Sequence, residues 1–198
     1  MQTPNLSNIE QVSDGWIKKY VLTYDMPDGS KHAYEAVSRK SIDEYRALLE
    51  ANAAGTAPKG SDAVSIVAKT PRNTLVMIRE FRYPLNSWCI AFPAGLIDPG
   101  EDMIASVKRE LLEETGYSIL DGSQIRPLPQ AGYSSTGMSD ETVQVVYVEA
   151  EKVAEATPEP NELIEIFELP IADIRRFLDE NMLPIGARGQ LILEGLAR

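Results

Sequence analysis

Three glutamates near the middle of the chain have the type and spacing to act together on a metal ion. In the segment Gly95 to Tyr117, Glu110, Glu113 and Glu114 fall within about 100° of one another when they are placed on a helix. Oxygen donors grouped in this way suit Mg²⁺, which proteins usually share between a few carboxylates and substrate phosphates. The alternative is the solvated face of an ordinary surface helix, which a charge cluster alone would favour.

The elements around these glutamates predict how they are positioned. We expect a helix from about Met103 to Glu114, with Asp102 as its N-cap and Gly116 as its C-terminal stop. An adjacent apolar stripe on this helix can pack against a sheet; its members are Ile104, Val107 and Leu111. Arg109 can pair with Glu101 or Glu113, which would fix carboxylates that otherwise move.

The spacing of this segment resembles the Nudix box, with every fixed position filled. The pattern is Gly95, five residues, Glu101, seven residues, Arg109-Glu110-Leu111, one residue, Glu113-Glu114, one residue, Gly116 and a hydrophobic residue. That last residue is Tyr117, where an aliphatic side chain is more usual. The resemblance implies a metal-dependent hydrolase of diphosphate bonds.

Further motifs are similar to the ADP-ribose and ADP-sugar pyrophosphatase branch of that family. They are Arg79-Glu80-Phe81-Arg82-Tyr83-Pro84 and Phe92-Pro93-Ala94-Gly95-Leu96-Ile97-Asp98. The resemblance implies Mg²⁺, with Mn²⁺ as a substitute, held by Glu110, Glu114 and the carbonyl of Ala94, with Glu113 in a bridging role. Glu113 and Arg109 are counted with the catalytic residues on the same basis.

The resemblance also points to a general base on a loop after the box. The family pattern of a glutamate, two hydrophobic residues and a second glutamate is matched by Glu162-Leu163-Ile164-Glu165, which makes Glu162 the candidate base. Glu159 is the runner-up, and a box glutamate is a further alternative. An acidic surface loop of no catalytic importance would have a similar sequence.

The N-terminal part supplies candidate substrate contacts. Trp16 and Tyr34 match aromatic residues that sandwich adenine in the family, often with one ring from each subunit of a dimer, while Arg39 and Arg82 match arginines near the phosphates and the terminal ribose. The alternative for the two aromatic residues is hairpin core or dimer packing. Two positions depart from many ADP-sugar members: Ala91 replaces a glutamate, and Ser135 to Met138 lack a loop proline.

The predicted function is Mg²⁺-dependent hydrolysis of ADP-ribose to AMP and ribose 5-phosphate, or of a related ADP-sugar, by a homodimer. One alternative is the same chemistry on a GDP- or UDP-sugar. Another is a non-catalytic module that senses ADP-ribose, although such domains commonly lose box glutamates and this box is complete.

The order of the remaining elements predicts an α/β (α+β) fold with two domains. Residues 1–58 form a β-hairpin and helix module for substrate stacking and dimerisation: its strands flank Pro27-Asp28-Gly29, and its helix follows the capping box that begins at Ser41. Residues 59–198 form the Nudix domain, an α/β/α sandwich with a mixed sheet, in which Ile125 to Tyr133 are one strand candidate and helices at Ile171–Glu180 and Ala187–Leu196 close the chain.

The composition of the chain restricts the classes of partner that it is expected to bind. The formal net charge is −11, which argues against a nucleic-acid partner because such binding depends on Lys and Arg. We find neither a signal peptide nor a membrane span, and therefore expect a cytoplasmic protein that acts on a small nucleotide sugar. The single cysteine, Cys89, lies in an apolar run and is assigned no chemistry.

Overall fold

The computed structural model describes residues 3–57 and 60–197, and these form two compact units. The first unit comprises Met1–Gly60 with Ala131–Thr142, and the second comprises Ser61–Gln130 with Val143–Arg198. The predicted boundary between residues 58 and 59 lies outside the described residues. The segment Ala131–Thr142, which the sequence analysis placed in the second domain, groups with the first unit.

The first unit is a three-stranded antiparallel sheet with one helix. Its elements are β1 (Asn5–Gln11), β2 (Lys18–Asp25), β3 (Lys31–Ser38) and α1 (Ile42–Ala54). The predicted hairpin is therefore extended by β1, whose Asn and Ser residues give little strand signal; only Ile9 of β1 is buried. The capping box at Ser41 is present: its hydroxyl accepts from the Glu44 N–H, and the Glu44 carboxylate accepts from the Ser41 N–H at 2.8 Å.

The second unit contains the larger sheet. Its strands are β4 (Ala63–Lys69), β5 (Thr74–Arg82), β6 (Ser87–Ala91), β7 (Ala94–Leu96), β8 (Tyr117–Ile119), β9 (Arg126–Pro127), β11 (Thr142–Lys152) and β12 (Ile164–Pro170). The remaining strand, β10, consists of the two residues Gly132–Tyr133 and belongs to the first unit. Its helices are α2 (Met103–Thr115), α3 (Ile174–Glu180) and α4 (Ala187–Leu196), with 3₁₀ turns at Tyr83–Leu85 and Ile171–Asp173.

The sheet of the second unit is mixed, as predicted. The central order is β11-β4-β5-β12, in which β11 runs parallel to β4 and the other neighbours are antiparallel. The long strand predicted from Ile125 to Tyr133 is wrong, since only β9 and β10 form there. Pro127 and Pro129 lack the N–H that a strand ladder needs, which explains the interruption.

Helices cover both faces of this sheet. One buried cluster joins Val107 and Leu111 of α2 to Val64, Ile66 and Val76 of the sheet. A second cluster, on the other face, joins α3 and α4 to the alternate strand residues; its members include Val67, Leu75, Met77, Ile174 and Leu193. This arrangement confirms the predicted α/β/α sandwich. None of the helices within the described ranges has both the length and the apolar character to cross a membrane.

Candidate active site

Helix α2 is fixed at both ends by local sequence. The Asp102 carboxylate accepts hydrogen bonds from the N–H groups of Ile104 at 2.8 Å and Ala105 at 3.0 Å. At the other end Gly116 has φ +69°, and a Cβ there would lie 2.1 Å from the carbonyl oxygen of Ala154, so that only glycine fits. These caps set the helix register and therefore the face on which the box glutamates lie.

Two of the three clustered glutamates on α2 are buried where this helix meets β7. Glu110 is 8% exposed and Glu114 is 2% exposed. The Glu114 carboxylate accepts a hydrogen bond of 2.9 Å from the Ala94 N–H. A Cβ on Gly95 would lie 2.0 Å from the Glu110 carboxyl group, so a larger residue there would displace that carboxyl group from its present position. The solvated-face alternative is therefore wrong for these two side chains.

The buried carboxylates are electrostatically costly without a positive partner. Burial raises the pKa of Glu114 to about 9, the Ala94 N–H opposes that rise, and the charges of Glu110, Glu80 and Glu162 add to it. Burial also raises the pKa of Glu110, against the lowering effect of Arg109. Several carboxylates thus converge on one poorly solvated place in the second unit.

Arg109 organises the face of α2 next to these glutamates. Its guanidinium donates to both carboxylate oxygens of Glu101, at 3.1 and 2.9 Å, and to Glu110 at 2.7 Å. It also donates to the Leu96 carbonyl at 3.0 Å and to Glu113 at 3.4 Å, so both pairings that the sequence suggested are present. Hydrogen bonds from Arg109 and Ser106 lower the pKa of Glu101 to about 2.

Glu113 differs from its two neighbours because its side chain is 45% exposed. It meets Arg109 at the edge of the helix face, and its charge contributes to raising the pKa of Glu110. Of the three predicted carboxylate ligands, Glu113 is thus the one with solvent access.

Glu162 lies on the loop immediately before β12. It is partly buried, whereas Glu159 is exposed. The two residues are linked because the Glu159 N–H donates to the Glu162 carboxylate at 2.9 Å and the Glu162 N–H donates to the Glu159 carbonyl at 2.9 Å. The charge of Glu162 adds to the effects that raise the pKa values of Glu110 and Glu114.

The sequence analysis missed one buried carboxylate, Glu80 on β5. It is 9% exposed, and its Oε2 atom lies 2.7 Å from the guanidinium of Arg82. Burial and the charge of Glu162 raise its pKa, while Arg82 lowers it. The signal was available, since Val76, Ile78 and Glu80 alternate along a strand and so share one face.

The remaining substrate-contact candidates belong to the first unit. Trp16 is 73% exposed and precedes β2, so hairpin core packing is not its role in this chain. Tyr34 is 42% exposed, and its hydroxyl donates to the Gly137 carbonyl at 2.7 Å. Arg39 pairs with Glu141. Tyr34 lines a cavity of about 580 Å³ whose other walls include four aromatic residues: Tyr24, His32, Tyr45 and Tyr133.

The donor set on α2 fits a hard divalent cation in its chemistry. Two buried carboxylates lie against the Ala94-Gly95 backbone, and Arg109 pairs with Glu110, while Glu114 accepts only the Ala94 N–H among the described hydrogen bonds. Such burial without compensation is unfavourable, and a bound cation would remove the cost. Within residues 3–57 and 60–197, no group of three or more His, Cys, Asp or Glu side chains is arranged to hold a metal ion, so carboxylates alone do not complete the proposed ligand set.

The box segment also explains the aromatic residue at its end. Tyr117 is buried in the cluster beneath α2, and its hydroxyl donates to the Glu168 carboxylate at 2.6 Å. Burial and this contact raise the pKa of Tyr117 to about 12. The tyrosine therefore fills an aliphatic position without leaving a buried hydroxyl unsatisfied.

The chain resembles known proteins in sequence and in fold. The model of the NUDIX domain matches residues 60–188. Among relatives, the ADP-sugar pyrophosphatase of Mus musculus is 30% identical over 184 residues, covering 86% of this chain and 75% of that protein. The ADP-ribose pyrophosphatase of Saccharomyces cerevisiae is 28% identical over 203 residues, covering 96% and 80%. A crystal structure of an ADP compounds hydrolase superposes with a TM-score of 0.72 at 21% identity, covering 98% of this chain and 92% of that one.

Proposed function

The chain belongs to the NUDIX family, and from that premise we propose that it hydrolyses the diphosphate bond of ADP-ribose or a related ADP-sugar. The products from ADP-ribose are AMP and ribose 5-phosphate. Two relatives that cover most of the chain are named for this activity, on ADP-sugars in the mouse protein and on ADP-ribose in the yeast protein.

One observation carries the proposal. The box places Glu110 and Glu114 in a buried position against the backbone at Ala94 and Gly95, where carboxylates are unfavourable unless a cation joins them. NUDIX hydrolases generally use a divalent metal. We take the metal here to be Mg²⁺, with Mn²⁺ as a substitute, held by Glu110, Glu114 and the Ala94 carbonyl, with Glu113 in a bridging role.

The chain's own residues would divide the chemistry between them. A divalent cation held by Glu110, Glu114 and the Ala94 carbonyl would supply positive charge for the diphosphate oxygens and for activation of a water molecule. Glu162 takes the proton of that water as the new P–O bond forms and the second phosphate leaves. Arg109 keeps Glu101 and Glu110 in place during the reaction, and Arg82 offers its guanidinium to a phosphate.

Three residues of the first unit are further candidates for substrate contacts. In the proposal Trp16 and Tyr34 stack on the adenine and Arg39 lies near the phosphates. We further propose that the chain works as a homodimer in the cytoplasm. Trp16 is largely exposed, which leaves its ring accessible to a ligand or to a second subunit.

The test is a substrate panel assayed for released nucleoside monophosphate, with Mg²⁺ present and absent. The panel contains ADP-ribose, ADP-glucose, GDP-mannose, a UDP-sugar and NADH. The proposal predicts Mg²⁺-dependent release of AMP, fastest from an ADP-linked compound. Faster turnover of GDP-mannose or the UDP-sugar would overturn the substrate assignment, whereas tight ADP-ribose binding by calorimetry without product would indicate a sensing module. Light scattering during gel filtration measures the oligomeric state.

A further inference from the structure

Glu80 is a buried carboxylate at the edge of the proposed site that the family pattern did not single out. Along β5, Val76 packs into the cluster under α2, and Glu80 lies on the same face four residues later. The strand therefore directs Glu80 toward the side of the sheet on which the helix with Glu110 and Glu114 lies. Its 9% exposure means that it has given up most of its hydration.

Among the described residues, Arg82 is the only cationic side chain that forms an ion pair with Glu80. The Arg82 guanidinium lies 2.7 Å from Oε2 of Glu80, yet this oxygen has no hydrogen bond of acceptable geometry. The contact is therefore a close ion pair. The Arg82 side chain is 47% exposed, so it pairs with the buried Glu80 while part of it stays accessible to solvent.

Other charges around Glu80 favour a role in the site over simple packing. The negative charge of Glu162 acts on Glu80, and Glu80 in turn acts on Glu114. A structural ion pair gains nothing from being placed beside two more carboxylates, since like charges in a poorly solvated place repel. An arginine fixed at this place is, by contrast, well placed to receive an anionic group of a substrate.

We propose that Glu80 is a positioning residue that orients the Arg82 guanidinium toward a phosphate of the substrate. This inference rests on the proposed function, because it requires a diphosphate substrate at this site. A guanidinium that is already oriented loses less conformational freedom when it binds phosphate, so Glu80 acts on substrate affinity through Arg82.

The experiment uses the full chain with Mg²⁺ and compares Glu80→Gln, Arg82→Gln and the double variant. We expect Glu80→Gln to raise KM for ADP-ribose about tenfold while kcat changes less than about threefold. The double variant should have the KM of Arg82→Gln alone, because the effect of Glu80 passes through Arg82. Glu165→Gln is the matched control: it removes the partner of Arg79, 3.3 Å away and exposed, and should leave KM within about twofold.

Two further measurements separate the competing roles. Mn²⁺ affinity of the substrate-free protein, followed by electron paramagnetic resonance, should be equal in wild type and Glu80→Gln. A large loss of Mn²⁺ affinity would make Glu80 a metal ligand and overturn the proposal. An unchanged KM with a lowered urea midpoint would make it a structural residue, and additive KM effects in the double variant would also contradict it. If wild type cleaves nothing in the panel, the proposed function has failed instead.

Discussion

Replacing Glu114 by glutamine should stabilise the metal-free protein while it abolishes activity. Glu114 is 2% exposed, and burial raises its pKa to about 9 from an ordinary value of 4.5. Between these two values the folded protein holds a proton that the unfolded chain releases. The free energy of unfolding of the metal-free wild type therefore falls as pH rises from about 4.5 toward 9. Glutamine is neutral at every pH and can still accept the Ala94 N–H.

The size of the effect follows from the pKa difference. A pH of 7.5 lies about three units above the ordinary pKa of Glu114. Keeping the proton in the folded state at this pH therefore lowers the free energy of unfolding by about 4 kcal/mol relative to a neutral side chain. At pH 5 the loss of stability relative to a neutral side chain is less than about 1 kcal/mol. The stability gap between Glu114→Gln and wild type should therefore widen steadily as pH is raised.

The assay is urea denaturation in EDTA at pH 5, 6.5 and 7.5, repeated at pH 7.5 with Mg²⁺. Glu113→Gln is the matched control on the same helix: its side chain is 45% exposed, and its loss should change stability by no more than about 0.5 kcal/mol. Mg²⁺ should stabilise wild type and have little effect on Glu114→Gln. A gap that does not grow with pH, or equal Mg²⁺ stabilisation of both proteins, would refute the reasoning.

Four more substitutions test other parts of the site. Glu162→Gln should lower kcat about 100-fold or more with little change in thermal stability, whereas Glu159→Gln should leave kcat nearly unchanged; the reverse order would transfer the role of base to Glu159. Gly95→Ala places a methyl group 2.0 Å from a box carboxyl group, so Mn²⁺ affinity and kcat/KM should both fall 10- to 100-fold, and full retention would show that the helix can move aside. Tyr117→Phe should cost about 1 to 2 kcal/mol in urea denaturation and leave kcat within about twofold; a large loss of activity would assign the hydroxyl a role beyond packing.

The box helix shows what could be predicted from local sequence. Its start at Met103, its N-cap and its C-terminal glycine all follow from residues within one turn of each end, and the structure agrees. The period of Val107 and Leu111 also sets which face packs on the sheet, whereas Ile104 of the predicted stripe is 42% exposed. Such features depend on neighbours in the chain, so no knowledge of the fold was needed for them.

Strand positions were less predictable. The polar segment Asn5–Gln11 becomes a strand because its backbone pairs with β2. The sequence of the segment itself gives no signal of that pairing. Likewise, Ala131–Thr142 groups with the first unit, where the Val37 N–H donates to the Met138 carbonyl at 2.9 Å. Contacts between residues a hundred positions apart leave no local periodicity to detect.

The sequence by itself determined the family, the chemistry of the donors and the helix face that carries Glu110, Glu113 and Glu114, because spacing along a helix translates directly into direction. Only the tertiary structure decided which of these carboxylates lose their water. Burial depends on what β5, β7 and the loop before β12 place above them, and that packing separates Glu114 at 2% exposure from Glu113 at 45%. The same packing brought in Glu80, since the low polarity around a carboxylate is a property of the assembled fold.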